Sequence, residues 1–208
     1  MDHAHAAPTA TKSGLDDEGK ADLTRHFERL LTIADGRVDP TVDTMSLLES
    51  SARAGLLESM LLLAELCSTG LAGVPRNDAL AAQWYQAAVD LYKDPRGELA
   101  LGVAFARGQG VTRNLSTGRM YLLAAAKDGM IPAMRYLADL ETPGSSAFAQ
   151  WLAIAALSDP AYQPEAEEAL AQLTDAARVL AVRNAKLWLH AHQRARVLRS
   201  HKEPVITY

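Results

Sequence analysis

The sequence contains very little cysteine and few aromatic residues. Only one of its 208 residues is a cysteine, Cys67, and 6% are aromatic. A single cysteine cannot form a disulfide within the chain, and it cannot supply the paired cysteines of a structural zinc site. We therefore expect a fold without disulfides, which fits a reducing compartment. We interpret Cys67 as a small buried apolar residue rather than a catalytic thiol.

Long apolar runs are also missing. No stretch approaches the roughly 20 apolar residues that a membrane-spanning helix requires, and no apolar core of a signal peptide follows Met1. We expect a cytoplasmic protein without a membrane span, unless the chain is exported by a route that needs no such signal.

Motifs of known chemistry are absent from the sequence. It has no phosphate-binding loop ending in Lys-Ser/Thr, no Gly-x-Ser-x-Gly elbow and no His-Glu-x-x-His helix. His190 and His192 lie two residues apart, where side chains on a helix point to different sides. We therefore expect no enzyme, no catalytic residue, no cofactor and no metal site.

The chain does contain a repeated helix–loop–helix pattern, and its clearest copy runs from Gly97 to Gly129. Leu101 lies at helical spacing among small residues, which predicts a first helix. Gly108 and Gly110 end that helix, because glycine adopts the left-handed conformation at little cost. Asn114 is a candidate N-cap for a second helix, which stops at Gly129.

The same residue types return at a nearly constant spacing along the chain. The large residues of the second helices are Leu47, Trp84, Tyr121 and Trp151, at steps of 37, 37 and 30 residues. The first helices carry a large residue followed by a small one: Leu63-Ala64, Leu101-Gly102, Leu137-Ala138 and Leu170-Ala171. We expect the small residue to allow close approach of a neighbouring helix.

These residues resemble the Sel-one-like repeat (SLR), a branch of the tetratricopeptide-type α/α repeats. The pattern LGxxFxxGxGVxxN, then an aromatic residue and Ala-Ala-x-x-Gly, runs from Leu101 to Gly129. A second copy from Leu63 to Ala88 has one extra loop residue, and a third from Leu137 to Ala156 lacks the Gly-x-Gly-Val turn. The resemblance implies an all-α fold, namely a right-handed α/α superhelical solenoid of helix-turn-helix repeats with N- and C-terminal capping helices.

The flanks of the repeats differ in composition, which predicts a division of the chain into five parts. We expect a disordered arm at 1–14, an N-terminal capping helix at 15–36, three to four repeats at 41–173, a long basic C-terminal capping helix at 174–202 and a tail at 203–208. Thr174 is the predicted N-cap of the last helix. The spacing of that helix predicts an apolar stripe formed by Ala177, Leu180, Ala181, Ala185 and Trp188. The alternative for 15–36 is a partner-binding helix.

The end of the chain carries a net positive charge, although the net charge of the whole chain is negative. From Asp175 to Tyr208 there are seven basic and two acidic residues, while the formal net charge of the chain is −4. The simplest interpretation is a solvated outer face whose cations complement the helix dipole. An acidic protein partner is the second interpretation. Nucleic acid is the third and is not expected, because the basic residues are not interleaved with aromatic ones.

The resemblance implies a binding protein, since the first helices of such repeats line an extended concave surface. The residues expected to contact a partner are Leu62, Ala100 and Tyr136 in one row, Glu65, Val103 and Asp139 in the next, and Arg107 and Arg135 beside them. We expect an adaptor or scaffold that binds a protein or peptide there. The alternative is a dedicated immunity protein or chaperone that binds and neutralises one bacterial toxin or secreted effector.

Overall fold

The computed structural model describes residues 42–71 and 74–200. Within these ranges the chain forms helices and turns without a β-strand, so the predicted all-α class is confirmed. The helices are α1 (Val42–Arg53), α2 (Leu57–Thr69), α3 (Asp78–Tyr92), α4 (Pro95–Arg107), α5 (Leu115–Lys127), α6 (Ile131–Asp139), α7 (Ser146–Ser158), α8 (Gln163–Ala171) and α9 (Asp175–Ser200). A short 3-10 helix, Pro160–Tyr162, precedes α8.

The predicted arm at 1–14, the predicted capping helix at 15–36 and the predicted tail at 203–208 lie outside the described residues. The chain divides into two compact units, Met1–Asn114 and Leu115–Tyr208. The first unit contains α1 to α4, and the second contains α5 to α9. In both units helices that are neighbours in sequence pack against each other, which is the helix-turn-helix arrangement that the repeats predict.

Side-chain caps fix the starts of several helices. In each cap a side-chain oxygen accepts a hydrogen bond from a backbone N–H group. The pairs are Asn77 with the N–H of Leu80 (3.0 Å), Asp94 with that of Arg96 (2.9 Å), Ser145 with that of Phe148 (3.1 Å) and Thr174 with that of Ala177 (3.4 Å). Each cap satisfies an N–H group that the helix itself leaves unpaired. Thr174 thus caps α9 as predicted, and α9 begins at the next residue.

Glycines fix the ends of α2 and α4, as the sequence predicts. Gly108 ends α4 with a φ of +76°, and its N–H donates to the carbonyl of Ala104. Gly110 also has a positive φ, +69°, and it lies against the start of α3. A Cβ at Gly110 would be 2.1 Å from the carbonyl oxygen of Asp78. The second glycine of the Gly-x-Gly turn is therefore required for space as well as for conformation.

The core of the first unit is built from the residues that recur between repeats. Leu63 and Trp84 are each 2% exposed, and Leu101 is 1% exposed. Helix α2 packs between α1 and α3, and α3 packs on α4. Gly97 lets α4 approach α3 closely, since a Cβ there would lie 3.0 Å from a methyl group of Val89. Burial of each large apolar side chain contributes about 1.5–3 kcal/mol.

The second unit is organised around α7. This helix contacts α6, α8 and α9, and its residues Leu152 and Ile154 are fully buried. Trp151, the recurring large residue, is 9% exposed. Its ring and that of Trp188 on α9 meet edge to face, with 5.4 Å between ring centroids and an interplanar angle of 73°. The aromatic pair joins α9 to the rest of this unit.

Two packing predictions for the last part of the chain are wrong. Ala171 was expected at a close helix contact, as Ala64 and Ala138 are, but it is exposed because α8 ends at this residue. Leu180 was expected in the apolar stripe of α9, but 54% of it is exposed. The buried stripe includes Ala181, and its neighbour Leu180 points about 100° away around the helix.

Candidate interaction surfaces

The predicted partner-binding residue Leu62 belongs to the core instead. It is 7% exposed and packs within the apolar cluster of the first unit, so it cannot offer surface to a partner. The reason is that α2 has helices on two sides, which buries every residue from Met60 to Ala64. Glu65, the next predicted residue on α2, is exposed.

The other predicted residues of the first unit share one side of α4. Ala100, Val103 and Arg107 are spaced by three and four residues, which places them on the same face of the helix. The first two are partly exposed, and Arg107 is exposed. This face therefore offers apolar surface beside a cation.

The predicted residues of the second unit lie on α6 and include an ion-pair cluster. The Arg135 guanidinium donates to the Asp139 carboxylate and to both oxygens of Glu165 on α8, at 2.9 and 2.7 Å. The structure thus brings Arg135 and Asp139 together and adds Glu165, which the sequence did not indicate. Two carboxylates surround one guanidinium, so the cluster is acidic overall. Tyr136 lies beside it and is partly exposed.

A second ion-pair cluster, which the sequence also did not indicate, joins α2 and α4, the first helices of two successive repeats. Arg96 on α4 donates to both carboxylate oxygens of Glu58 on α2, at 2.9 and 2.6 Å, and also pairs with Asp94. Glu58 and Arg96 hold the same position in successive repeats. Their opposite charge at one registered position is the signal that could have predicted the contact.

Cys67 is buried, as predicted, and its environment makes the thiol unreactive. It is 3% exposed. Burial, together with the negative charge of Glu49, raises the pKa of the Cys67 thiol to about 11. The thiol therefore stays protonated at neutral pH, where the thiolate would be the reactive form.

The second unit contains a cleft of about 280 Å³ lined by α5, α6, α7 and α9. Trp188 and His192 form part of its wall, with their rings stacked at 4.2 Å. Nδ1 of His192 lies 2.8 Å from the carbonyl oxygen of Trp188, which orients the imidazole. Among the described residues, no group of three or more His, Cys, Asp or Glu could hold a metal ion.

Helix α9 has two unlike faces. Ala181 and Ala185 on the inner face are 2% and 0% exposed. The outer face carries large exposed apolar residues beside basic ones, and it borders a surface groove of about 510 Å³. The groove is lined by Arg178, Val179, Val182, Arg183, Lys186 and Leu187. In the part of the chain that the structure describes, no helix is long and apolar enough to cross a membrane.

Comparison with known proteins identifies the repeats. The Sel1 repeat family model matches residues 57–92 and 95–130, so one match covers α2 and α3, and the other begins at α4 and ends after α5. The crystal structure of a Sel1 repeat protein from Oxalobacter formigenes is similar in fold, with a TM-score of 0.58 and 20% sequence identity. The similarity covers 86% of this chain and 76% of that chain. No curated protein sequence matches this one.

Proposed function

Because the chain carries Sel1 repeats, we propose that it acts as a non-catalytic adaptor or scaffold that binds a protein or peptide partner. Sel1 repeats generally mediate protein–protein interactions. Stacked helical repeats bind partners through surface residues that differ between repeats, while the core residues stay alike.

The observation that carries this proposal is the contrast between core and surface at registered positions of the first unit. Leu63 and Leu101 are equivalent, and both are buried. Glu65 and Val103 follow them at equivalent positions and reach the surface as an acidic and an apolar side chain. The repeats therefore share a scaffold but differ in the chemistry that they present.

We define the repeat face as the accessible part of this surface, formed by Glu65, Ala100, Val103 and Arg107. It combines both signs of charge with apolar side chains, which suits an extended peptide or a helix with mixed character. In the second unit we place a second contact at Tyr136, beside the acidic cluster of Arg135, Asp139 and Glu165. A basic side chain of the partner would complement that cluster.

The test is affinity capture from native lysate with the full chain and two double variants. The first variant, Glu65→Arg with Val103→Arg, changes the repeat face. The matched control, Gln83→Arg with Asp90→Arg, adds the same charge at exposed positions of α3. A partner held by the parent chain and the control, but weakened at least about tenfold in the repeat-face variant, would support the proposal.

Two further outcomes carry information. Equal capture by both variants would place the partner elsewhere and contradict the repeat face. One dominant partner, bound stoichiometrically and inhibited by the complex, would instead support the role of a dedicated immunity protein or chaperone.

A further inference from the structure

We propose that the outer face of α9 is a second docking surface, whose occupant is an acidic amphipathic helix of another protein. This surface is distinct from the repeat face, so the inference goes beyond the proposed function. It is carried by exposed apolar side chains and by two cations that form no ion pair with any residue that the structure describes.

The apolar part of the surface is large for a helix that faces solvent. Val179 is 68% exposed, Leu180 is 54% exposed and Leu187 is 59% exposed. Single exposed apolar residues are common on protein surfaces, but several on one stretch of helix indicate an interaction site. Ala181 and Ala185, on the other side of the same helix, already provide its packing against the second unit.

The cations of this surface are Arg183 and Lys186, and both are exposed. Among the residues that the structure describes, neither has an ion-pair partner. Arg96, Arg119 and Arg135, in contrast, each pair with a carboxylate. Within the described part of the chain, no ion pair therefore compensates the positive charge on the outer face of α9.

The dipole of α9 does not account for these two charges. Cations stabilise a helix within its last turn, but Arg183 and Lys186 lie far before the end of α9 at Ser200. Arg178, on the first turns, is different because it has a structural role. Its guanidinium donates to the carbonyl oxygens of Leu170 and Leu173, at 3.0 and 3.4 Å, and so caps the end of α8.

An acidic helix fits this surface better than nucleic acid does. The exposed uncharged residues are aliphatic, whereas single-stranded nucleic acid binds where bases can stack on aromatic rings. A partner helix lying along α9 would pack apolar residues at three- and four-residue spacing against Val179 and Leu187. Carboxylates of the partner helix that flank its apolar residues would reach Arg183 and Lys186. One helix buries a small area, so we expect weak, salt-sensitive binding.

The test measures fluorescence anisotropy of two labelled peptides against the full chain. Each peptide has about 18 residues, which form about five helical turns, and both carry the same stripe of leucines. The residues that flank the stripe are glutamates in one peptide and lysines in the other. We expect the glutamate peptide to bind with an affinity that falls as salt rises, and the lysine peptide to bind at least about tenfold more weakly. The double variant Arg183→Glu with Lys186→Glu should reverse this preference.

Controls separate charge, apolar contact and the repeat face. Lys93→Glu with Lys127→Glu makes the same change in net charge at other exposed positions and should leave glutamate-peptide binding within about twofold. Val179→Ser with Leu187→Ser should weaken that binding about tenfold while its salt dependence persists. The repeat-face variant should bind the peptide like the parent chain, so that failure of either proposal is seen separately.

Several results would overturn the inference. They are equal binding of the two peptides, equal loss of binding in the Lys93/Lys127 control, tighter binding of a single-stranded oligonucleotide than of the glutamate peptide, and self-association of the chain that the Arg183/Lys186 variant abolishes. Because all substituted residues lie on the surface, we expect every variant to retain its helices. Circular dichroism of each variant checks this.

Discussion

At the scale of single residues, Gly110 is the position with the least tolerance for change. Its φ is +69°, and a Cβ would lie 2.1 Å from a backbone oxygen of Asp78, which cannot move without displacing the start of α3. We predict that Gly110→Ala lowers the free energy of unfolding by at least about 3 kcal/mol, since left-handed strain alone costs about 1–2 kcal/mol. Urea denaturation followed by circular dichroism measures the loss.

Gly70 provides a matched control in the same unit. Its φ is +73°, but the nearest atom to a Cβ there is 3.5 Å away, so the substitution adds strain without a clash. Gly70→Ala should therefore cost about 1–2 kcal/mol. Equal losses in the two variants would show that the conformation, rather than the contact with Asp78, makes Gly110 necessary.

Cys67 allows a prediction about reactivity. Because its pKa is raised to about 11, the thiolate fraction at pH 8 is about 100-fold lower than for an ordinary thiol. The native chain should react with a disulfide reagent at least about 100-fold more slowly than the chain in urea. Any reaction with the reagent is that of Cys67, since the sequence has no other cysteine. A fast native reaction would show that the thiol is accessible and ionised.

The same raised pKa predicts a loss of stability at alkaline pH. The unfolded chain gives up the thiol proton first, near pH 9, whereas the native chain holds it until about pH 11. The stabilising contribution is therefore fully present below pH 9 and is lost as the pH rises toward 11, by about 2 kcal/mol. The difference in unfolding free energy between the parent chain and Cys67→Ala should shrink over this range. A constant difference would contradict the shift.

At the scale of the helix, one aromatic pair contributes to the attachment of α9, beside the buried residues Ala181 and Ala185. Trp188 meets Trp151 edge to face and stacks on His192. We predict that Trp188→Ala lowers the unfolding free energy by about 2–4 kcal/mol and increases hydrogen exchange in α9 more than in α3. Leu187→Ala, one residue away on the exposed face, should change stability by less than about 0.5 kcal/mol. Similar losses of unfolding free energy for Trp188→Ala and Leu187→Ala would exclude a special role for the pair of Trp151 and Trp188.

At the scale of the whole molecule, the two compact units predict where the effects of core variants appear. Leu63→Ala removes a core side chain from the first unit and Leu152→Ala one from the second, and each should cost about 2–5 kcal/mol. We expect hydrogen exchange to increase in α1 to α4 for the first variant and in α5 to α9 for the second. A uniform increase along the chain in both variants would indicate a single cooperative unit.

The sequence predicted the elements and the recurring core because both depend on short-range patterns. Leu63, Leu101 and Leu137 are buried as their periodicity indicates. Gly70 and Gly108 end α2 and α4 with a positive φ, whereas α3 ends at Lys93, whose φ of 54° no glycine signals. The side-chain partners on the surface could not be predicted in this way. Arg135 finds Glu165 30 residues later, on another helix, and only the packing of the helices brings them together.

The errors also follow from packing beyond the single repeat. Leu62 has the spacing of a surface residue, but α2 has neighbours on two sides and its buried face is wider than the pattern predicts. Ala171 has the sequence of a close helix contact, but it is the last residue of a short helix. Periodicity identifies which residues are equivalent, whereas the number of neighbouring helices determines how much of each helix is covered.

The contact between Glu58 and Arg96 has a consequence for how the array can evolve. The two residues hold one position in successive repeats, so a tandem duplication of the segment from Leu57 to Asp94 would place glutamate next to glutamate at the new junction. Either sign at this position of a further copy would face a like charge on one side, so only an uncharged residue is compatible with both neighbours. Because both side chains are about half exposed, the cost of such a junction is at most about 1 kcal/mol, and the two repeats differ at this position in a way that favours their present order.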